Sequence, residues 1–253
     1  SKDRRIIKKA KAIAVRDLRL NYGDMGIYAG PKNFHEYWAR DGFFASFGAC
    51  VLKDFEMVRK NLDLFIRYQK GDGQIPLRIE ERNHGLSLLG INIPYSSPRP
   101  VYNSSQIWAD EAMDPTILFV IGACFYVKSS GDTKWLLDNE GSLSKALDWI
   151  LKHIGENGLV REGLIANWAD MALKAGNVTY TNVCFWKALQ EFSEIRPEYK
   201  VQAERIKAAI NTKLWSQEKG YYIDWIGVKG RIYEDFFVDG NIATFGTKSG
   251  SNG

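Results

Sequence analysis

The chain has 253 residues, 45% of them hydrophobic and 13% aromatic, which suits one large core better than two small ones and does not make disorder the default. Its 34 Lys plus Arg against 30 Asp plus Glu leave a net charge of +4 spread along the chain, so nothing points to a nucleic-acid partner. No apolar run approaches the length that spans a bilayer, and the start lacks the apolar stretch of a signal peptide. Cys50, Cys124 and Cys184 sit singly in apolar runs, as core thiols of a reducing compartment do. With only His35, His84 and His153 besides, a zinc site has almost no material. The expectation is a cytoplasmic protein without a membrane partner.

Helical periodicity dominates, and the predicted helices fall into consecutive pairs. The first covers Arg4 to Asn21, where Ile6, Ile7, Ala10, Ile13, Ala14 and Leu18 recur at helical spacing opposite a solvated basic face. Asp41 to Leu52 and Glu56 to Gln69 follow. Between Gln69 and Asp114 lies a long loop rich in Gly, Pro, Asn and Ser, and a loop that long inside a compact domain is usually functional. Then come Pro115 to Ser129, Lys134 to His153, Asn182 to Ile195 and Glu198 to Trp215, with an eighth helix opening at Asp239. Tyr221 to Ile226 and Arg231 to Phe236 alternate around Gly227 to Gly230, which predicts a small β-hairpin. The domain is expected to cover residues 1–245, with 246–253 as a linker or disordered tail.

Unusual polar residues collect before the even-numbered helices: Arg40 and Asp41, Asp114, Asp170 and Asp239. If helices alternate between an outer and an inner ring, these starts share one face and line one cleft. Each has a plainer reading. Asp41 can be a helix cap and Trp38 packing, although an adjacent Arg and Asp beside aromatic rings also suit a sugar, whose hydroxyls take the charges while its apolar face takes the ring. Asp114 before Pro115 is a helix-start signal that capping alone explains. Asp170 lies beside Trp168 and Met171 ahead of a helix, where desolvation favours the neutral carboxyl group that a general acid requires. It can equally be a solvated loop residue.

Asn167-Trp168-Ala169-Asp170, followed by Thr181 to Leu189, resembles the Trp-x-Asp segment of the amylo-α-1,6-glucosidase part of glycogen-debranching enzymes, with a related segment in trehalase and processing α-glucosidase I. Tyr37-Trp38-Ala39-Arg40-Asp41 is similar to the Trp-x-Arg-Asp motif of glucoamylases and their relatives. Gly73-Gln74-Ile75-Pro76 resembles their Gly-x-Ile-Pro turn, and Met113 to Val120 with Gly131-Asp132 resembles their Asp-x-x-Leu-Phe helix. The resemblance covers roughly Tyr37 to Phe245. It implies an all-α toroid of six helical hairpins and hydrolysis with inversion, without a metal or organic cofactor. Asp170 becomes the acid, Arg40 and Asp41 grip the released sugar, and Trp38, Asp114 and Trp168 join the substrate site. The partner is then an oligosaccharide or small glycoside, an α-linked glucoside or mannoside.

Inversion needs a second carboxylate as base, which the sequence does not identify; Glu234, Asp235 and Asp239 are the substitutes near the same mouth, and Asp239 has a simple helix-start explanation. About eight helices where the toroid has twelve predict a partial toroid with its base outside the chain, or a trimmed relative that binds sugar without cleaving it. A helical cyclase of prenyl or lanthionine type fits less well, since Cys and His ligands and an acidic cluster are lacking.

Overall fold

The computed structural model describes residues 2–32, 34–83, 85–86, 89–103, 110–169 and 173–233; Asp170, Met171, His84, Glu234, Asp235, Asp239 and the tail 246–253 lie outside the described residues. Seven α-helices stand among the described residues: α1 (Lys2–Leu20), α2 (Ala39–Val51), α3 (Phe55–Arg67), α4 (Asp114–Ser130), α5 (Thr133–Leu151), α6 (Thr179–Ser193) and α7 (Lys200–Lys213).

The helix α4 is the hub. Its apolar run leaves no polar face, and Asp114 to Val120, Gly122 to Cys124 and Tyr126 are all buried. It packs against both α2 and α6, while α3 and α5 also lie against it and α7 packs on α6. The even-numbered helices therefore neighbour one another, and the odd-numbered ones cover them. In α2 the buried residues Ala39, Gly42, Phe43, Ser46, Ala49 and Cys50 recur at helical spacing. Phe43 packs its ring 4.9 Å from that of Phe65 and 5.9 Å from that of Phe119, joining α2, α3 and α4. The α4–α5 hairpin turns on Gly131, left-handed at φ 75°, after which Asp132 caps α5 by accepting from the Trp135 amide at 3.0 Å.

Two expectations change. The basic face of α1 is solvated, but so is most of its apolar face: Ile6 and Ile7 are 56% and 66% exposed. Among the residues of this helix whose side chains are described, Val15 and Leu18 alone are partly buried, and Arg19 fastens its end through an ion pair to Asp54 at 3.0 Å. Secondly, the connection before Asp114 is not all loop. β1 (Tyr37–Trp38), β2 (Arg78–Arg82) and β3 (Pro94–Val101) form an antiparallel sheet in that order. Its prolines, Pro94, Pro98 and Pro100, hide β3 from a reading by composition, yet β3 is an edge strand, where a missing donor is tolerated.

Downstream, β4 (Gly176–Val178) pairs with β7 (Trp225–Gly227), which pairs with β8 (Ile232–Tyr233), while β5 (Trp215–Ser216) pairs with β6 (Tyr221–Tyr222). The expected hairpin is present between Trp225 and Tyr233. Its first arm is split, because Tyr221 and Tyr222 pair backwards onto β5. Small sheets thus accompany a chiefly helical domain. No helix among the described residues is long and apolar enough to cross a membrane.

Gly73 fixes the turn that leads into β2. Its φ is +112°, and a Cβ there would lie 2.0 Å from the Lys145 carbonyl oxygen of α5. The same turn reaches α4, because the Ile75 amide donates to Thr116 Oγ1 at 3.0 Å. Gly73→Ala should lower stability by about 2 kcal/mol or more, a fall in melting temperature of roughly 4–8 °C. Gly71→Ala, with nothing within 4 Å of its new methyl, is the control expected to melt within about 2 °C of wild type; equal melting of the two variants would contradict the close approach.

Candidate active site

One ion pair joins the starts of the inner helices. Arg40 Nε, in the first turn of α2, donates to Asp114 Oδ2 at 2.6 Å, and Arg40 Nη2 donates to Oδ1 at 3.2 Å. From the first turn of α6, the Tyr180 hydroxyl donates to Asp114 Oδ2 at 3.4 Å. The Asp114 side chain is fully buried and that of Arg40 is 15% exposed. Burial pushes the Asp114 carboxyl up from its ordinary value, against the Arg40 charge and the hydrogen bonds from Arg40 and Tyr180. Neither aspartate is a cap: Trp38 and Met113 occupy the cap positions of α2 and α4, without side-chain cap bonds.

Asp41 lies beside Arg40 and is open to solvent. The protein walls around it still desolvate its carboxyl enough to raise it, with Arg40 opposing and Asp114 adding to the rise. Trp38 continues the wall: its indole N–H donates to Glu36 Oε2 at 3.4 Å, and the Arg78 guanidinium stands 4.9 Å from its ring. That contact follows from the register of β1 on β2, which sets Trp38 opposite Arg78. Trp168 is 43% exposed, with its ring 6.3 Å from that of Tyr180 in an edge-on arrangement and the Lys174 ammonium 5.8 Å away. Arg40, Asp114, Tyr180 and Trp168 thus form a continuous series across three inner helix starts and the loop before Asp170. Asp170 itself lies outside the described residues.

The loop carrying Trp168 is tied to the segment entering α4. The Met113 amide donates to the Ala166 carbonyl at 2.7 Å, the Asp110 amide to the Leu164 carbonyl at 3.0 Å, and the Leu164 amide returns to Asp110 Oδ2 at 2.8 Å. Ile165, β-branched and buried, is held at φ 56°. Such a conformation is costly and persists only where its surroundings impose it.

Sequence reading missed Glu162, Tyr180 and Lys174. Glu162 is 3% exposed and accepts hydrogen bonds from the Asn167 amide and the Thr181 hydroxyl. Desolvation drives its carboxyl up to about 7, with these hydrogen bonds opposing, the Asp114 charge adding and the Lys174 charge opposing. Lys174 is itself buried and lowered by desolvation, with Asp224 and Glu162 opposing. A cavity of about 550 Å³ opens beside Glu162, lined also by Asp110, Met113, His153, Arg161 and Val228; Trp38, Arg40, Asp41 and Trp168 do not line it. No group of three or more His, Cys, Asp or Glu among the described residues could hold a metal ion.

The arrangement of helical layers and small sheets has counterparts among solved structures. The structure is similar to a family GH78 rhamnosidase of Bacillus sp. GL1, with a TM-score of 0.67 at 19% identity over 87% of this chain and 22% of that one. It is also similar to a rhamnosidase from Klebsiella oxytoca with rhamnose bound, with a TM-score of 0.64 at 15% identity over 87% of this chain and 41% of that one. In sequence the chain is similar to N,N'-diacetylchitobiose phosphorylase of Vibrio proteolyticus, 27% identical over 135 residues, covering 45% of this chain and 17% of that protein. The chain therefore spans less than half the length of each of these relatives. No protein-family model matches it.

The ion pair generates a prediction. Arg40→Ala strands the buried Asp114 carboxylate and should cost about 3–5 kcal/mol at neutral pH. In that variant the folded-state pKa of Asp114 lies above its unfolded value, so the folded chain binds the proton more tightly and stability rises as pH falls towards the unfolded value. The deficit should shrink on acidification, and Arg40→Ala with Asp114→Leu should recover most of it. Urea unfolding at several pH values checks this; a pH-independent deficit would remove the carboxylate as its cause.

Proposed function

We propose that this chain belongs to an inverting glycoside hydrolase that cleaves an α-linked glucoside or mannoside, with Asp170 as its general acid. The reading rests on one observation above all. Arg40, Asp41, Asp114 and Tyr180 meet at the starts of adjacent inner helices, beside an exposed Trp168 that precedes Asp170 by two positions in the sequence.

Such a mouth suits a sugar. Asp41, open to solvent and carboxylic, accepts hydrogen bonds from vicinal hydroxyls, and the indoles of Trp38 and Trp168 cover apolar faces of the rings. Arg40, engaged by Asp114, acts through its charge and by fixing the start of α2. Asp170 protonates the glycosidic oxygen as the bond to the leaving group breaks, and a second carboxylate, not assigned here, activates water on the opposite face. No metal or organic cofactor is needed for this chemistry. The toroid that the layered hairpins would complete, a cytoplasmic location, and an oligosaccharide or small soluble glycoside as substrate belong to the same reading. Nucleic acid and membrane have no part in it.

Two measurements on the intact protein test it. Asp170→Asn should lower turnover of an α-linked disaccharide by about 10²–10⁴-fold, and of an activated aryl α-glycoside by less, because a good leaving group needs less protonation. Near-normal turnover of the disaccharide would remove Asp170 from the mechanism. The substrates should include rhamnosides and diacetylchitobiose, the latter with and without phosphate, since the relatives named above act on these compounds; cleavage of those alone would overturn the glucoside or mannoside assignment.

Asp41→Ala should weaken monosaccharide binding by about 1.5–3 kcal/mol, the usual worth of a hydrogen bond to a charged group. Calorimetry reads this whether or not the protein turns over. Unchanged affinity in a folded variant would remove Asp41 from the sugar site, and sugar binding without hydrolysis by wild type would leave a carbohydrate-binding protein in place of an enzyme.

A further inference from the structure

Glu162 is a buried carboxylate to which the proposed reaction gives no task. Its backbone is fixed first: the Glu162 amide donates to the Gly176 carbonyl and the Gly176 amide donates back, each at 2.9 Å, which fastens Glu162 to the start of β4. One side-chain oxygen accepts from the Thr181 hydroxyl in the first turn of α6. The other accepts from the Asn167 side-chain amide, and Asn167 Oδ1 in turn accepts from the Ala169 backbone amide at 2.9 Å. Hydrogen bonds therefore run from a rigid strand and a rigid helix, through Glu162 and Asn167, to the residue immediately before Asp170. Asn167 and Ala169 are both buried, so water competes poorly for these bonds.

The loop needs such a hold. Ile165 sits at φ 56°, and its carbonyl-side neighbours must be pinned for that conformation to persist. Asp110 and Met113 pin Leu164 and Ala166 from the α4 side. Glu162 pins Asn167, and through it Ala169, from the β4 and α6 side.

We propose that Glu162 is a positioning residue: by fixing Asn167, it sets the backbone that carries Asp170 to the glycosidic oxygen. The proposal rests on Asp170 being the acid. Its chemistry asks only for an oxygen acceptor facing Asn167. A glutamine supplies that with its carbonyl, while its NH₂ group donates to the Thr181 hydroxyl; an alanine supplies nothing.

The test is a double-mutant cycle on the intact protein with Glu162→Ala, Asn167→Ala and the pair together, read by steady-state kinetics on an α-linked disaccharide and by hydrogen exchange of the peptide spanning residues 165–173. Each single variant should lower kcat by about 100-fold, the cost of misplacing a catalytic group by roughly 1 Å, with KM changed less than about threefold. Exchange in that peptide should quicken. The pair should be little worse than either single variant, because both break the same connection. Glu162→Gln should restore most of the rate lost in Glu162→Ala.

Multiplying losses in the pair would mean that Glu162 acts independently of Asn167 and would overturn the proposal, as would unchanged exchange and kcat in a folded Glu162→Ala. If that variant fails to fold, Glu162→Gln and Asn167→Ala carry the same comparison. If the wild-type protein hydrolyses none of the α-glycosides, the reading of Asp170 falls, and the exchange measurement alone decides whether Glu162 holds the loop.

Discussion

The Arg40–Asp114 ion pair sets the geometry on which the mouth depends. A fully buried carboxylate at the head of the most apolar helix would be very costly alone. Its partner arrives from α2, and Tyr180 adds a hydrogen bond from α6. Replacing such a pair by apolar residues often stabilises a protein, so its presence argues for what it specifies rather than for what it contributes to stability. What it specifies is a register. With two parallel hydrogen bonds between guanidinium and carboxylate, α2 and α4 have little freedom to slide, and the first turn of α6 is drawn to the same level.

The irregular segments reinforce that register from outside. Gly73 lets the turn before β2 pass against the α5 backbone while Ile75 fastens it to Thr116 in the first turn of α4. The sheet it leads into places Arg78 beside Trp38, just ahead of Arg40. On the far side, β4 holds Glu162 and the entry to α4 holds Leu164 and Ala166, while the Ala169 amide donates to Asn167 Oδ1.

Much of this was legible in the sequence. The helices lie close to the positions their periodicity predicts, and Asp41 and Asp114 mark the starts of inner helices as their spacing implied. The pairing of Asp114 with Arg40 was not legible, because capping explained the aspartate locally, whereas its partner lies 74 residues away in the chain. Tyr180 was missed because α6 begins at Thr179, earlier than Asn182, so a residue read as loop stands in a first turn. Glu162 between Arg161 and Gly163 has the composition of a surface turn. Its burial comes from Gly176, Thr181 and Asn167, none of them signalled by its immediate neighbours.

Three carboxyl groups of this region share one electrostatic feature. Asp41, Asp114 and Glu162 are all displaced upward, and desolvation is the leading cause for each. The positive ends of α2 and α4, and the charges of Arg40 and Lys174, oppose that displacement without cancelling it. The ion pair that spans α2 and α4 and the carboxyl group that ties β4 to Asn167 thus meet the same cost, loss of hydration, and each is offset by hydrogen bonds from the surrounding protein.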